Sequence, residues 1–455
     1  MEKKFDDQIR FLDRHRDEIK PVVNADEAQL LDRLYDGILT QEQIDRILHE
    51  QETKVFVLDK PQASPEALKA LLVGRDPGAA LGIKSLIAAM EKDDRVGSLG
   101  LIVDGIAQSY LKEDLKPFEK LDESPLVIAD IMKSAEKPYD VIINTGSTIN
   151  NPASVTLKNK EALTGGKSNA KTYFVYEAYE WGVTQDYYDE VEGMDGIFCN
   201  DEVAKAILME RFPDFDPDHI YVTGTGQIDS VKADQAENLY RSGREKLEID
   251  DTTFTVAYLG TISSAYRMYG LDNRFDEKSW MRTVDAMAHL AERYPGQKFA
   301  LLYRYHPRDP QRDEKFTMTE SMKLPQNLML KKATNEQGLS ADEVLYASNA
   351  ISSVTLTENF KSKHRARQGI YLGFEDPGMG ADYLKKIYSP EIIAAMEEKG
   401  GVAIVKNDDA LFRYLESIKD KPIEQPKVKP GETSAERILD VLSRDQSKEQ
   451  DRTQS

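Results

Sequence analysis

The chain has 455 residues, 80 of them acidic against 60 basic, for a formal net charge of −20. That length suits two domains of about 150 to 200 residues with extra segments, and the charge repels nucleic acid and anionic membrane surfaces, which excludes a general nucleic-acid binder. A single cysteine, Cys199, excludes an internal disulfide framework and any cysteine-rich zinc or iron–sulfur site, and its place in an apolar run predicts a buried thiol.

The N-terminus, MEKKFDDQIRFLDRHRDEIK, is charged throughout, with neither a signal peptide nor an integral membrane segment, so the expected location is cytoplasmic. Residues 1–50 place Phe5, Ile9 and Leu12, then Leu30, Leu31, Leu34, Ile38, Ile44 and Ile47, at helical spacing, and predict a helical leader. From residue 54 short apolar runs alternate with helical segments: Val55–Leu58, Ala70–Val73, Leu99–Val103, Val141–Ile143, Tyr173–Tyr176, Gly196–Cys199 and Ile220–Val222. Continuous apolar strands between helices predict a parallel sheet covered on both faces. A polar helical stretch follows, and the alternation restarts at Phe254–Leu259, Phe299–Tyr303, Leu328–Leu330, Ala350–Val354, Ile370–Gly373 and Val402–Val405. The expected organisation is a leader over 1–50, a Rossmann-like domain over 51–233, a helical linker over 234–252 and a second Rossmann-like domain over 253–420. The tail over 421–455 is expected to hold one helix, AERILDVL capped by Thr433 or Ser434, and a disordered polar end.

The stretch DGIFCNDEVAKAILMERFPDFDPDHIYVTGTGQID, residues 195–229, reads strand, helix, loop, strand and a glycine turn closed by Asp229, with Asn200-Asp201 placed to cap the helix. It resembles the GT-B glycosyltransferases and the UDP-N-acetylglucosamine 2-epimerases of the same fold, in which a VTGNPxxD-like turn closes the first of two Rossmann-like domains. Thr225-Gly226 stands where the usual Asn-Pro or Asn-Thr would be. The resemblance spans roughly residues 54–415 and implies an α/β chain of two doubly wound parallel sheets, with a nucleotide-sugar donor in the second domain and an acceptor in the first.

Ligands of open parallel sheets bind beyond the carboxyl ends of the strands. In the first domain Gly74-Arg75-Asp76-Pro77-Gly78-Ala79-Ala80-Leu81-Gly82 reads as a loop of small residues, where Gly78 and Gly82 admit a phosphate or sugar and Asp76 is a candidate general base, or alternatively only a helix cap. Asp104-Gly105 and Thr145-Gly146-Ser147-Thr148 end two further strands. Tyr173-Phe174-Val175-Tyr176-Glu177-Ala178-Tyr179-Glu180-Trp181-Gly182 resembles the vlDxwxNY segment of surface-polysaccharide GT-B members, with Glu177 in the position of the acid; core packing of the aromatics is the alternative.

In the second domain Gly260, Thr261 and Ser263 form a loop able to offer amides and hydroxyls to phosphate oxygens. The His306-Pro307 step resembles that of glycerophosphotransferases, polysialyltransferases and related GT-B enzymes, which makes His306 a donor to the leaving diphosphate and Arg304 or Arg308 a fixed charge. The alternative is a surface loop salt-bridged to Asp309 or Asp313. Residues 339–358 resemble the family's elLaasDavis..St...E pattern, which implies phosphate contacts from Ser352, Ser353 and Thr355 and a ribose contact from Glu358. The following basic run, Lys361 to Arg367, reads equally as an anion site or a solvated helix face.

Other motifs fail. Gly165-Gly166-Lys167-Ser168 lacks a P-loop's first glycine, since Glu161 stands there; Gly224-Thr225-Gly226 lacks the third glycine of a dinucleotide fingerprint, since Asp229 stands there; and the acids of Asp214–Asp218 sit in a loop before a strand. No HxxxH or HExxH supports zinc. The expected activity is therefore metal-independent, cofactor-free glycosyl transfer from a nucleotide-sugar to an acceptor hydroxyl, with Asp76 or Glu177 as base. A sugar-nucleotide epimerase or hydrolase, a polyol-phosphate transferase and a noncatalytic scaffold of the same fold are the alternatives, and a homo-oligomer is compatible with any of them.

Overall fold

The computed structural model describes residues 53–454 apart from 61, 65–66, 75–76, 105–110, 123–138, 146–169, 177–190, 192, 225, 230, 232, 262–269, 307–308, 310–311, 355 and 425–432. The expected helical leader lies outside the described residues. Two compact units divide the chain: one takes Met1–Val175, Gln185–Asp195 and Gln446–Ser455, the other Tyr176–Thr184 and Gly196–Asp445.

In the first unit the strands are β1 (Thr53–Asp59), β2 (Leu68–Gly74), β3 (Val96–Asp104), β4 (Glu119–Asp122), β5 (Val141–Thr145) and β6 (Lys171–Tyr176), with helix α1 (Pro77–Lys92) between β2 and β3. They lie in the order β4-β1-β3-β2-β5-β6. From β2 onward the apolar runs form parallel ladders, as their unbroken hydrophobicity predicts. β1 instead runs antiparallel to β3 and β4. The reason lies in the connection: only residues 60–67 separate β1 from β2, too few for the crossover of a dozen or more residues that parallel strands need. Two carboxylates pin strand starts, Asp140 accepting from the Lys69 amide at 2.8 Å and Asp195 from the Thr172 amide at 2.7 Å.

The second unit begins with β7 (Gly196–Cys199), α2 (Glu202–Arg211) and β8 (Ile220–Val222), with β7 and β8 parallel. Asp201 caps α2, accepting from the Val203 and Ala204 amides at 2.9 Å each. Cys199 is buried, and desolvation raises its thiol far above the ordinary value, so it is inert. Helix α3 (Ala233–Leu247) precedes β9 (Phe254–Leu259), α4 (Phe275–Arg293), β10 (Phe299–Arg304), α5 (Arg312–Glu320), β11 (Leu328–Lys332), α6 (Ala341–Ala347), β12 (Ala350–Ser353), α7 (Leu356–His364), β13 (Gln368–Leu372), α8 (Gly380–Ile387), α9 (Pro390–Lys399), β14 (Val402–Val405), α10 (Asp408–Ile418) and α11 (Ser434–Gln454), of which the part up to Asp445 belongs to this unit.

Six of these strands form one wholly parallel sheet in the order β11-β10-β9-β12-β13-β14. Counted from β9, that is the 3-2-1-4-5-6 order of a doubly wound nucleotide-binding sheet. Thr433 supplies the α11 cap and exchanges bonds with Glu436, its amide donating at 2.9 Å and its hydroxyl accepting from the Glu436 amide at 3.3 Å. The helix then continues past AERILDVL to Gln454 where a disordered end was expected, because SRDQSKEQDRTQ holds neither glycine nor proline. Ile438, Leu439, Val441 and Leu442 are buried, and Arg437 donates to the Thr223 carbonyl at 3.1 Å.

Helices α3 and α6 approach so closely that a Cβ on Gly243 would lie 2.4 Å from the Glu343 carbonyl oxygen and 3.0 Å from the Ala347 Cβ. Gly243→Ala gains helix propensity of about 1 kcal/mol but forces the helices apart at a cost of about 1–3 kcal/mol. A net loss in chemical denaturation is expected, larger for Gly243→Val. The same seam holds Glu343, which accepts from Lys246 and Ser242 at 2.6 Å each and from the Ser340 amide at 2.8 Å. Desolvation pushes its carboxyl up, but these donors outweigh it and hold the pKa at about 2, below its ordinary 4.5. A depressed carboxylate stabilises the fold above its unfolded pKa and loses that contribution as pH falls through the folded one. The stability gap between wild type and Glu343→Gln should therefore narrow from pH 5 toward about pH 2, as read by urea titration at each pH.

Candidate functional site

The strand order of the six-stranded sheet reverses between β9 and β12, and the crevice beyond their carboxyl ends is where such sheets take ligands. Gly260 and Thr261 follow β9; Gly260 donates its amide to the Arg304 carbonyl at 2.8 Å, which extends the β9–β10 pairing by one residue. Ser352 and Ser353 close β12, in register with Tyr258 and Leu259. Both serines are buried, and the Ser352 hydroxyl has no hydrogen-bond partner among the described residues. Beyond β10, the Asp309 amide donates to the His306 carbonyl at 2.9 Å and closes a turn. The structure thus brings Gly260, Thr261, His306, Ser352 and Ser353 to one edge of one sheet.

Four candidates have surroundings that the sequence does not show. Arg304 donates to the Ala333 carbonyl at 2.9 Å, the Leu339 carbonyl at 3.2 Å and the Asn335 side-chain oxygen at 2.9 Å, so its guanidinium braces the segment after β11. Gly78 and Gly82 lie within α1, which starts at Pro77 where a loop reaching Gly82 was expected. Proline at the first helical position is already set for helical φ and lacks only an amide that would go unpaired. Glu358 sits in the first turn of α7 with its side chain 32% exposed, and accepts from Arg365 at 3.1 Å. Desolvation raises its carboxyl, but Arg365 and Lys361 outweigh that and hold it low. Asp76, Glu177, Ser263, Arg308 and Thr355, with Gly105 and residues 146–148, lie outside the described residues.

The basic run after Glu358 is neither a solvated face nor an open anion site. Lys361, Arg365 and Arg367 are buried. Arg367 donates to the Tyr346 carbonyl at 2.6 Å and to the carbonyls of Arg365, Ala366 and Glu424, while Lys363 pairs with Asp201.

Sequence reasoning missed a buried charge cluster beside Thr261. The Lys315 ammonium, on α5, donates to Asp276 at 2.6 Å, Asp309 at 2.7 Å and the Thr261 carbonyl at 3.2 Å. Asp276, fully buried in the first turn of α4, also accepts from the Tyr258 hydroxyl at 2.9 Å and the Thr261 amide at 3.1 Å. Burial raises the Asp276 carboxyl against the pull of Lys315, while the two carboxylates overcome desolvation and keep Lys315 protonated. The described residues contain no group of three or more acids, histidines or cysteines set to hold a metal ion, and no helix long and apolar enough to cross a membrane.

No protein-family model matches the chain, and no curated protein does. Solved structures do. The UDP-GlcNAc 2-epimerase of Methanocaldococcus jannaschii is 15% identical, the match covering 83% of this chain and 99% of that one at a TM-score of 0.55. A candidate UDP-N-acetylglucosamine 2-epimerase from Listeria monocytogenes is 16% identical over 83% and 96% at 0.55. S. aureus MnaA in a co-structure with UDP is 15% identical over 82% and 96% at 0.54. The chain shares its two-sheet α/β fold with these structures.

Proposed function

We propose that the chain binds the nucleoside diphosphate of a nucleotide-sugar at the carboxyl edge of the six-stranded sheet and moves the glycosyl group to an acceptor hydroxyl. The observation that carries this reading is the meeting of Gly260-Thr261 and Ser352-Ser353 at the point where the strand order reverses. In this reading the Thr261 segment and the serines face phosphate oxygens, and His306 with Arg308 stabilises the departing diphosphate. Ser263, Thr355 and Glu358 complete the donor site, and Asp76 or Glu177 takes the acceptor proton. Neither a metal nor a resident cofactor takes part. Arg304 holds the scaffold instead of the ligand, given its three protein acceptors.

A second reading, a sugar-nucleotide epimerase or hydrolase, is favoured by the neighbours: the M. jannaschii and Listeria structures carry epimerase descriptions and are covered almost end to end. One assay separates the two. UDP-sugars are incubated with the protein with and without polyol or saccharide acceptors. UDP release that requires an acceptor supports transfer. A changed sugar or free UDP without one supports the second reading, and no reaction with any nucleotide-sugar defeats both. On whichever activity is found, His306→Ala is expected to lower turnover by about 100-fold, the loss typical of removing one donor to a developing charge; unimpaired turnover removes His306 from the site.

A further inference from the structure

We infer that Asp276, Lys315 and Asp309 form a positioning network that locks the segment after β9 to the turn after β10, so that both present a ligand-ready edge together. The inference rests on the nucleotide reading above. Lys315 has three ammonium protons and three acceptors, each on a different segment: Asp276 on α4, Asp309 in the His306 turn, and the Thr261 carbonyl after β9. Thr261 is held through both of its main-chain polar groups, its carbonyl by Lys315 and its amide by Asp276. The His306 turn is held from the other side, since Asp309 both accepts from Lys315 and donates its amide to the His306 carbonyl. One ammonium therefore ties together the residues just past the last β9–β10 contact, which Gly260 makes with Arg304.

A cluster with this composition is hard to justify by stability alone. Two carboxylates and one ammonium are fully or almost fully buried, and buried ion pairs are often no more stabilising than apolar groups of the same volume. What an apolar replacement cannot do is hold a backbone carbonyl, a backbone amide and a neighbouring turn in fixed relative geometry. Preorganisation of that kind is where a binding edge gains affinity, because the ordering cost is met before the ligand arrives.

The test uses Asp309→Ala, which cuts the tether to the His306 turn but leaves a one-to-one Asp276–Lys315 pair, and Asp309→Asn, which keeps an oxygen for Lys315 to donate to. Two readouts are taken on the full chain: amide hydrogen exchange of peptides spanning 258–261 and 304–309 without ligand, and UDP affinity by calorimetry. The network predicts faster exchange in both peptides and affinity about tenfold weaker for Asp309→Ala, with Asp309→Asn restoring most of both. A folded Asp309→Ala that exchanges and binds as the wild type overturns the inference, as does an Asn variant no better than Ala. Wild-type protein that fails to bind UDP removes the nucleotide reading and, with it, the positioning role, while unchanged exchange separately defeats the mechanical coupling.

Discussion

Lys315→Met should destabilise the second unit by about 3–5 kcal/mol at neutral pH, the cost of removing one partner from a buried ion pair and leaving the other charges unmatched. Here two carboxylates, Asp276 and Asp309, would remain where one ammonium stood 2.6 and 2.7 Å from them. The defect should also depend on pH. Without Lys315 the Asp276 carboxyl, already raised by burial, loses the partner that pulls it down, so its contribution is fully present only below its unfolded value, about 4, and is lost as pH rises. Denaturant titrations at pH 4.5 and pH 7.5 should therefore show a smaller loss at the lower pH. An equal loss at both would place the penalty in packing of the lysine stem and not in charge.

Trp280→Ala should cost about 3–5 kcal/mol, the range for emptying an aromatic site in a packed core. Trp280 is fully buried in α4, with its ring centroid 4.8 Å from Tyr303, 5.2 Å from Tyr258 and 6.4 Å from Phe316. Those three aromatics come from β10, β9 and α5, so the indole is the common wall between the sheet and the helices carrying Asp276 and Lys315. Trp280→Phe keeps most of the volume and should cost less than half as much. Unfolding followed by tyrosine or far-ultraviolet signals checks both; an Ala variant as stable as wild type would mean the core is not packed around this residue.

The strands of both sheets were legible because parallel strands buried on both faces must be apolar along their length, and Phe254–Leu259 or Val141–Ile143 carry little else. The direction of β1 was not, since it follows from the length of the segment before β2 and not from the run Val55–Leu58 itself. β4, Glu119–Asp122, has no apolar run to announce it; among the described residues it is an edge strand paired to β1. In the candidate site, glycine and hydroxyl residues after strand ends were visible as types, and the sheet order supplies their common edge. The Asp276–Lys315 pair was not visible, because 39 residues and a strand separate the partners and nothing in local spacing joins them. Lys361 to Arg367 reads equally as an anion site or a solvated face for a related reason: only the fold places acceptors, the Tyr346 and Glu424 carbonyls, against Arg367.

The most direct test of the account is hydrogen–deuterium exchange on the wild-type protein with and without millimolar UDP. Binding at the carboxyl edge of the six-stranded sheet predicts protection concentrated in peptides covering 259–264, 304–311 and 352–358. Saturating UDP that leaves these peptides unchanged, or that protects only segments of the first unit, would contradict it.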